Sequence, residues 1–350
     1  MYKRMEVLCL GALMATLALT GAPPRAPERA LAFRCMPCPA LPKMAVDMTV
    51  DSTGCLWVVD RAGGKIVVLN SEGKFVRAIS SPGSGPGQLS DPLALALNES
   101  LNLLAVCNST AALDFFEASS GRFKSTLVLP GPYEAFTGFF VTPSRIVYCG
   151  SGRESAPRTN GPFRALSLFS TSMEGRGLRI ERSFQANAEE AVGLMLFGHG
   201  FAIPFKKDVW AIGRSLPAQV LLVDDEGRVL RESRAQGIQP RWPLAKLSEP
   251  GWTTRIKQET PHAVGLIKDK DKIGLVWVHP PKPGPIMSIG WFRSDLTPGG
   301  TTPISLEAVP GKIAGVYSLA QAPSGRVYLL ASSTQDSGDK VSHLYVANLP

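Results

Sequence analysis

The chain reads as an all-β, six-bladed β-propeller with four-stranded blades, its ring closed by the two chain ends. Three observations predict this. Short runs of β-branched and aromatic residues, bounded by Gly, Asn, Asp, Ser or Pro, follow one another along the chain. One order of runs and turns recurs at a spacing of about 40 to 50 residues. Helical periodicity is weak throughout, while 34 Gly and 29 Pro supply turns for many short strands. A hydrophobic content of 44% against 19% charged residues gives material for a core and excludes disorder over most of the chain.

The first copy has runs at 48–51, 56–59, 66–69 and 75–79, with turns at 52–54 and 70–73. The second has 93–97, 103–107, 113–116 and 123–129, with a turn at 118–121. A third follows at 138–141, 146–149, 165–170 and 178–184, and the fourth is clear at its end, where 218–233 repeats the pattern of 64–79. The fifth is looser, with runs at 263–267, 275–278 and 286–292; the sixth has 316–320, 327–331 and 343–347. Four short strands per copy and six copies make a six-bladed propeller over residues 44–350. The sixth copy lacks a fourth strand, and residues 33–43, with Pro37, Pro39 and Pro42, are the segment expected to supply it; proline is tolerated on an outermost strand because that strand is an edge.

Residues 1–32 read as a secretory signal. Lys3 and Arg4 form a basic head, residues 7–20 are an uncharged apolar run too short for a membrane span, and Ala30-Leu31-Ala32 offers an A-x-A cleavage site. The expected mature protein starts at Phe33, lies outside the cytoplasm as a periplasmic or secreted protein, and has no membrane span. Its formal charge is +6, against +8 for the whole chain. Five cysteines remain in it, and an odd number leaves at least one unpaired.

The segment Gly83-Ser-Gly-Pro-Gly-Gln-Leu-Ser-Asp-Pro92, read with the strand order of residues 54–76, resembles the NHL repeat, in which a Gly-rich G-Q-[FL]-x-x-P segment leads into each blade. The match is good over 44–97 and around 218–233. Ala94 stands where that repeat has Gly, and Gly63-Gly64-Lys65 replaces its Asn-x-Arg. The resemblance implies a six-bladed ring and brings in related enzymes, a peptide-amidating lyase and calcium-dependent lactonases. The lyase resemblance implies a His after the proline of the G-Q-L-x-x-P segment, and Leu93 occupies that place.

No other motif names a reaction. The four histidines, 199, 262, 279 and 343, are scattered, whereas zinc needs three or four convergent ligands. Asp224-Asp225-Glu226-Gly227 and Asp269-Lys270-Asp271 lack the spacing of a calcium loop and read as tight turns. Gly83 to Gly87 lacks the Lys-Ser/Thr ending of a phosphate loop, and no G-x-S-x-G or H-E-x-x-H occurs. No metal site is expected, and no cofactor can be named. Cys35 and Cys38 read first as a disulfide in an exported tail and second as unpaired thiols; Cys107 and Cys149 read as small buried apolar residues.

In a propeller the first-to-second and third-to-fourth connections of each blade share one face, and the second-to-third and blade-to-blade connections share the other. Tight turns fill the first set. The second set is expected to hold long segments at 150–163, 205–217 and 235–260, which together carry a net +5 and three tryptophans, Trp210, Trp242 and Trp252. Arg and Trp are typical of contact surfaces, and insertions gathered on one face mark a binding side. The expected ligand-binding residues are therefore Arg153, Lys206, Lys207, Arg241 and Trp252. The function this implies is that of an exported, non-catalytic binding or scaffold propeller for an anionic peptide, glycan or protein. The alternative is a metal-dependent propeller enzyme of lyase or lactonase type with its site in the central channel. A nucleic-acid role conflicts with the signal segment.

Overall fold

A computed structural model of the chain describes residues 30–349 except 110–111, 130–132, 153–165, 184–199, 216–217, 236–260, 280–286 and 311. Its first strand, β1 (Leu31–Met36), lies far in sequence from the sheet it completes. Blade one follows as β2 (Ala45–Val50), β3 (Leu56–Asp60), β4 (Lys65–Leu69) and β5 (Phe75–Ile79), and blade two as β6 (Pro92–Asn98), β7 (Leu103–Asn108), β8 (Ala112–Glu117) and β9 (Phe123–Val128). Blade three holds β10 (Tyr133–Val141), β11 (Arg145–Gly152), β12 (Leu166–Ser172) and β13 (Arg179–Ser183). Blade four holds β14 (Gly200–Lys206), β15 (Val209–Arg214), β16 (Gln219–Asp224) and β17 (Val229–Arg234). Blade five is β18 (His262–Asp269), β19 (Lys272–Val278), β20 (Met287–Phe292) and β21 (Pro298–Leu306); blade six is β22 (Lys312–Gln321), β23 (Arg326–Thr334), β24 (Lys340–Asn348) and β1. Blades one to five are antiparallel sheets in chain order, blade six departs from that order only in its outer strand β1, and the inner strands β2, β6, β10, β14, β18 and β22 neighbour one another in a closed ring.

The sequence pattern sets the packing. Second and third strands are continuous apolar runs, as in β3 (Leu-Trp-Val-Val) and β4 (Ile-Val-Val-Leu), because both faces of a blade press on neighbours. Alternate residues serve alternate junctions. Leu56 and Val58 join the cluster shared with blade six, while Trp57 and Val59 join that shared with blade two. The described core divides accordingly into clusters at each of the blade junctions, one between every neighbouring pair. Cys107 and Cys149 lie buried in different clusters, and burial raises both thiols, Cys149 to about 11.

Outer strands are exposed edges, and register shifts interrupt the pairing of β5, β9, β13 and β17 with their inner neighbours. Such bulges twist an edge away from sheet-to-sheet pairing between molecules. Only the outer edges of blades five and six are joined: β1 pairs in parallel with β21 over Leu31–Phe33 and antiparallel with β24 over Arg34–Met36, making one eight-stranded sheet. Phe33 is the anchor, 1% exposed in the cluster between those blades, and Glu307 clips the strand through its backbone N–H to Phe33 C=O (2.9 Å) and its carboxylate to Cys35 N–H (2.8 Å).

Three expectations need correction. The closing strand starts at Leu31 and ends before Pro37, so the three prolines follow it instead of lying within it. Cys35 and Cys38 are free thiols; along β1 and past it, Cys35 packs into the cluster between blades five and six, whereas Cys38 joins Met36 in the cluster between six and one. The third correction concerns residues 205–217. They are no long connection, since 209–214 form β15, and Lys206 pairs with Val209 to close a tight first-to-second hairpin. The run Val-Trp-Ala-Ile is short and begins directly after Lys-Lys-Asp, which masked it as loop.

Candidate functional site

That hairpin moves Lys206 and Lys207 to the tight-turn face, beside the central channel. Its bend is made by Asp208 at φ 58°, and the equivalent hairpin of blade five by Lys270 at φ 54°. Asp enters this left-handed region at modest cost because its short side chain bonds locally; Lys does so less readily. The two hairpins and the strand ends beside them carry Lys206, Lys207, Lys268, Lys270 and Lys272 against Asp208, Asp269 and Asp271. Among the described residues none of the five lysines makes an ion pair.

Phe205 gathers two of them. Its ring is buried between blades four and five, and the ammonium groups of Lys206 and Lys268 lie 5.2 and 5.6 Å from its centroid. Lys268 Nζ also donates to Phe205 C=O at 2.5 Å. The backbone of Lys268 is fixed from the other side: its N–H donates to Gln321 Oε1 and its C=O accepts from Gln321 Nε2, both at 2.6 Å. Two cations on one ring, with no ion-pair partner among the described residues, concentrate positive charge there and attract an anion.

The rest of this face is tied down. Ser52 donates to Glu99, Asn98 Nδ2 to Val141 C=O (2.7 Å), Thr142 Oγ1 to Asp225 C=O (3.1 Å) and Arg326 to Ser71 C=O (3.2 Å), each bond joining neighbouring blades. Trp210, expected on a long loop, is a pillar of the same kind: its ring stacks on Phe140 at 4.4 Å, and its indole N–H donates to Asp225 Oδ1 at 2.8 Å.

A carboxylate unmarked by the sequence reading lies in the channel wall. Asp47 sits at a register break in β2; its Oδ1 accepts from Met48 N–H (2.9 Å) and Ser318 Oγ (2.7 Å), and its Oδ2 from Leu95 N–H (3.0 Å). Bonds to β6 on one side and β22 on the other carry the side chain across the inner edge of its own strand. It therefore caps orphan edge donors that face the channel. Burial pushes its carboxyl up to about 6, against the three hydrogen bonds that lower it. The signal was available: a lone acid inside Ala-Val-Asp-Met-Thr-Val.

Arg153, Arg241 and Trp252 lie outside the described residues, as do Arg158, Trp242 and His199. Of the other histidines, His279 Nε2 is 3.0 Å from Trp277 Nε1 and 2.8 Å from Ser288 Oγ, and His343 Nε2 is 2.8 Å from Ser333 Oγ; burial lowers the pKa of both. Among the described residues no three His, Cys, Asp or Glu side chains converge on a metal position.

A family model described as a 6-bladed beta-propeller matches residues 45–138. Comparison with curated proteins finds no match. Among solved structures, a member of the DUF4221 family from Bacteroides vulgatus aligns over 92% of this chain and 98% of its own, at 12% identity and a TM-score of 0.59. A protein from Bacteroides fragilis described as exported aligns over 91% and 95%, at 13% identity and a TM-score of 0.53. A calcium-binding protein, regucalcin, from Agrobacterium tumefaciens aligns over 92% and 98%, at 11% identity and a TM-score of 0.50. At such identities these likenesses establish the propeller fold alone.

Proposed function

We propose that the protein is an exported, NHL-like propeller that binds an anionic partner, a peptide, a glycan or an acidic protein surface, without catalysis of its own. The observation that carries this is the convergence of Lys206 and Lys268 on Phe205, with Lys207 next in sequence and none of the three ion-paired to a described residue. The inner hairpins fix the backbone of these lysines and Phe205 C=O holds Lys268 Nζ, so part of the ordering precedes the docking of an anion. Arg153, Arg241 and Trp252 belong to the reading as contacts on the second-to-third and blade-to-blade connections, a separate group from the lysines.

Binding of poly-L-glutamate, measured by calorimetry, tests the reading and separates the two groups. Lys206→Ala with Lys207→Ala is expected to weaken binding about tenfold, ~1.4 kcal/mol, at low salt. The difference should shrink at 0.15 M salt, where exposed charges are screened beyond about 8 Å. Arg153→Ala, Arg241→Ala and Trp252→Ala together should have the smaller effect. Binding that survives the lysine changes intact overturns the assignment.

Export rests on the basic head, apolar run and A-x-A order of residues 1–32. Cleavage after Ala32 leaves Phe33 as the first residue, which keeps the buried anchor and the whole ladder to β24 while removing Leu31 and Ala32 from the parallel pairing. N-terminal sequencing of the native protein should return Phe-Arg-Cys; Met1 would refute export by this route. A second reading, a channel-centred enzyme, is favoured by one observation: Asp47, a carboxyl poised at about 6 on the channel wall, has the range of a general acid or base.

A further inference from the structure

Asp47 takes its three hydrogen bonds from two backbone N–H groups and a hydroxyl, on β2, β6 and β22, and no cation is among its partners. Its Oδ2 accepts a single bond, which leaves a lone pair unused. A half-buried carboxylate that no cation neutralises is costly to keep charged. On the other side, Lys206 and Lys268 hold two positive charges without an ion pair to any described residue. The ring order of the inner strands, β2, β6, β10, β14, β18, β22, sets β2 directly across the channel from β14. Asp47 is three residues in from Val50 at the turn end of β2, a depth of about 10 Å at ~3.3 Å per residue, while Lys206 is the last residue of β14. The wall of one blade is therefore negative at depth and the mouth opposite is positive.

We propose that the channel receives a small zwitterion whose ammonium and acid groups are separated by a short chain, the ammonium on Asp47 and the acid group between Lys206 and Lys268. This rests on the anion-binding reading of the lysines and names a ligand class for it. Recognition is by separation of charge: an acid alone satisfies the lysines and leaves Asp47 unpaired, and an amine alone does the reverse. The oblique span requires a chain longer than that of an α-amino acid, whose two charged groups share one carbon.

Calorimetric titration of the whole protein with 6-aminohexanoate, 8-aminooctanoate, hexanoate and hexylamine at pH 7.5 tests this. One of the two amino acids is expected to bind at least tenfold more tightly than hexanoate and than hexylamine. Asp47→Asn should remove that advantage and leave hexanoate binding unchanged; Lys206→Ala with Lys207→Ala should weaken the amino acids and hexanoate alike. The comparison among ligands on the unchanged protein stands even where Asp47→Asn fails to fold. Hexanoate binding as tightly as both amino acids overturns the zwitterion and leaves the anion reading in place. Failure of all four, with poly-L-glutamate still bound, also overturns the zwitterion alone; failure of poly-L-glutamate as well overturns both.

Discussion

Replacing Phe33 by Ala is expected to destabilise the propeller by about 3–5 kcal/mol, the cost of emptying a fully buried aromatic site. Phe33 is 1% exposed and packs among Val276, Ile304, Leu329 and Tyr345, residues of both blades that β1 joins. Its loss removes the apolar anchor of a strand held otherwise by short ladders on either side. Urea unfolding measures the effect, with Arg34→Ala as the comparison, because Arg34 is exposed on the same strand and its removal should cost less than about 0.5 kcal/mol. Phe33→Leu should recover most of the loss, since it keeps apolar volume in the site. Equal midpoints for Phe33→Ala and the unchanged protein would mean that β1 does not close the ring.

The second large effect is expected at Asp47. Asp47→Ala leaves the N–H groups of Met48 and Leu95 and the Ser318 hydroxyl without their acceptor, at a cost of about 2 kcal/mol at pH 7. Its pH dependence follows from the raised pKa. The folded protein holds the Asp47 proton up to about 6, whereas the unfolded chain releases it near 3.8. Protonation thus favours the folded state: the contribution is fully present below 3.8 and is lost as pH rises through about 6. It amounts to about 3 kcal/mol for a shift of roughly two pH units. The stability gap between the unchanged protein and Asp47→Ala should therefore narrow between pH 4 and pH 7. A gap that is constant over this range, measured by urea unfolding at several pH values, would show that Asp47 does not titrate there.

Much of this architecture was legible because a blade repeats one local grammar. Continuous runs such as Leu56-Trp-Val-Val and Val220 to Val223, bounded by turn residues, read as strands buried on both faces, and turns such as Asn70 to Gly73 carry Gly where φ is positive, 78° at Gly73. Outer strands were harder to read. In β21 the sequence Pro-Gly-Gly-Thr-Thr-Pro-Ile-Ser-Leu looks like a loop, and it pairs only because one side of it needs no donors until β1 arrives. The candidate site was half legible. Lys206 and Lys207 stood out as charges, but the wrong strand assignment for 209–214 placed them on the opposite face. Lys268 carried no signal that separates a strand-end lysine from a functional one, and Asp47 was marked only as a lone acid inside Ala-Val-Asp-Met-Thr-Val; the ring geometry brings both to the channel.

The joining of β1 to β24 also fixes an order of events during synthesis. Blades one to five are each made from a continuous stretch and can pair their own strands as that stretch emerges. The partners of Arg34, Cys35 and Met36 are Val346, Tyr345 and Leu344, at the far side of all the blades between. β1 is thus made well before the strand whose ladder completes its seating. Until β1 is seated the edge of β21 stays open, and an open edge is a template for another chain. A message broken within blade six, before the codon for Leu344, yields a protein in which β1 keeps its parallel pairing with β21 and loses its partners in β24, so truncation there loosens a strand far upstream as well.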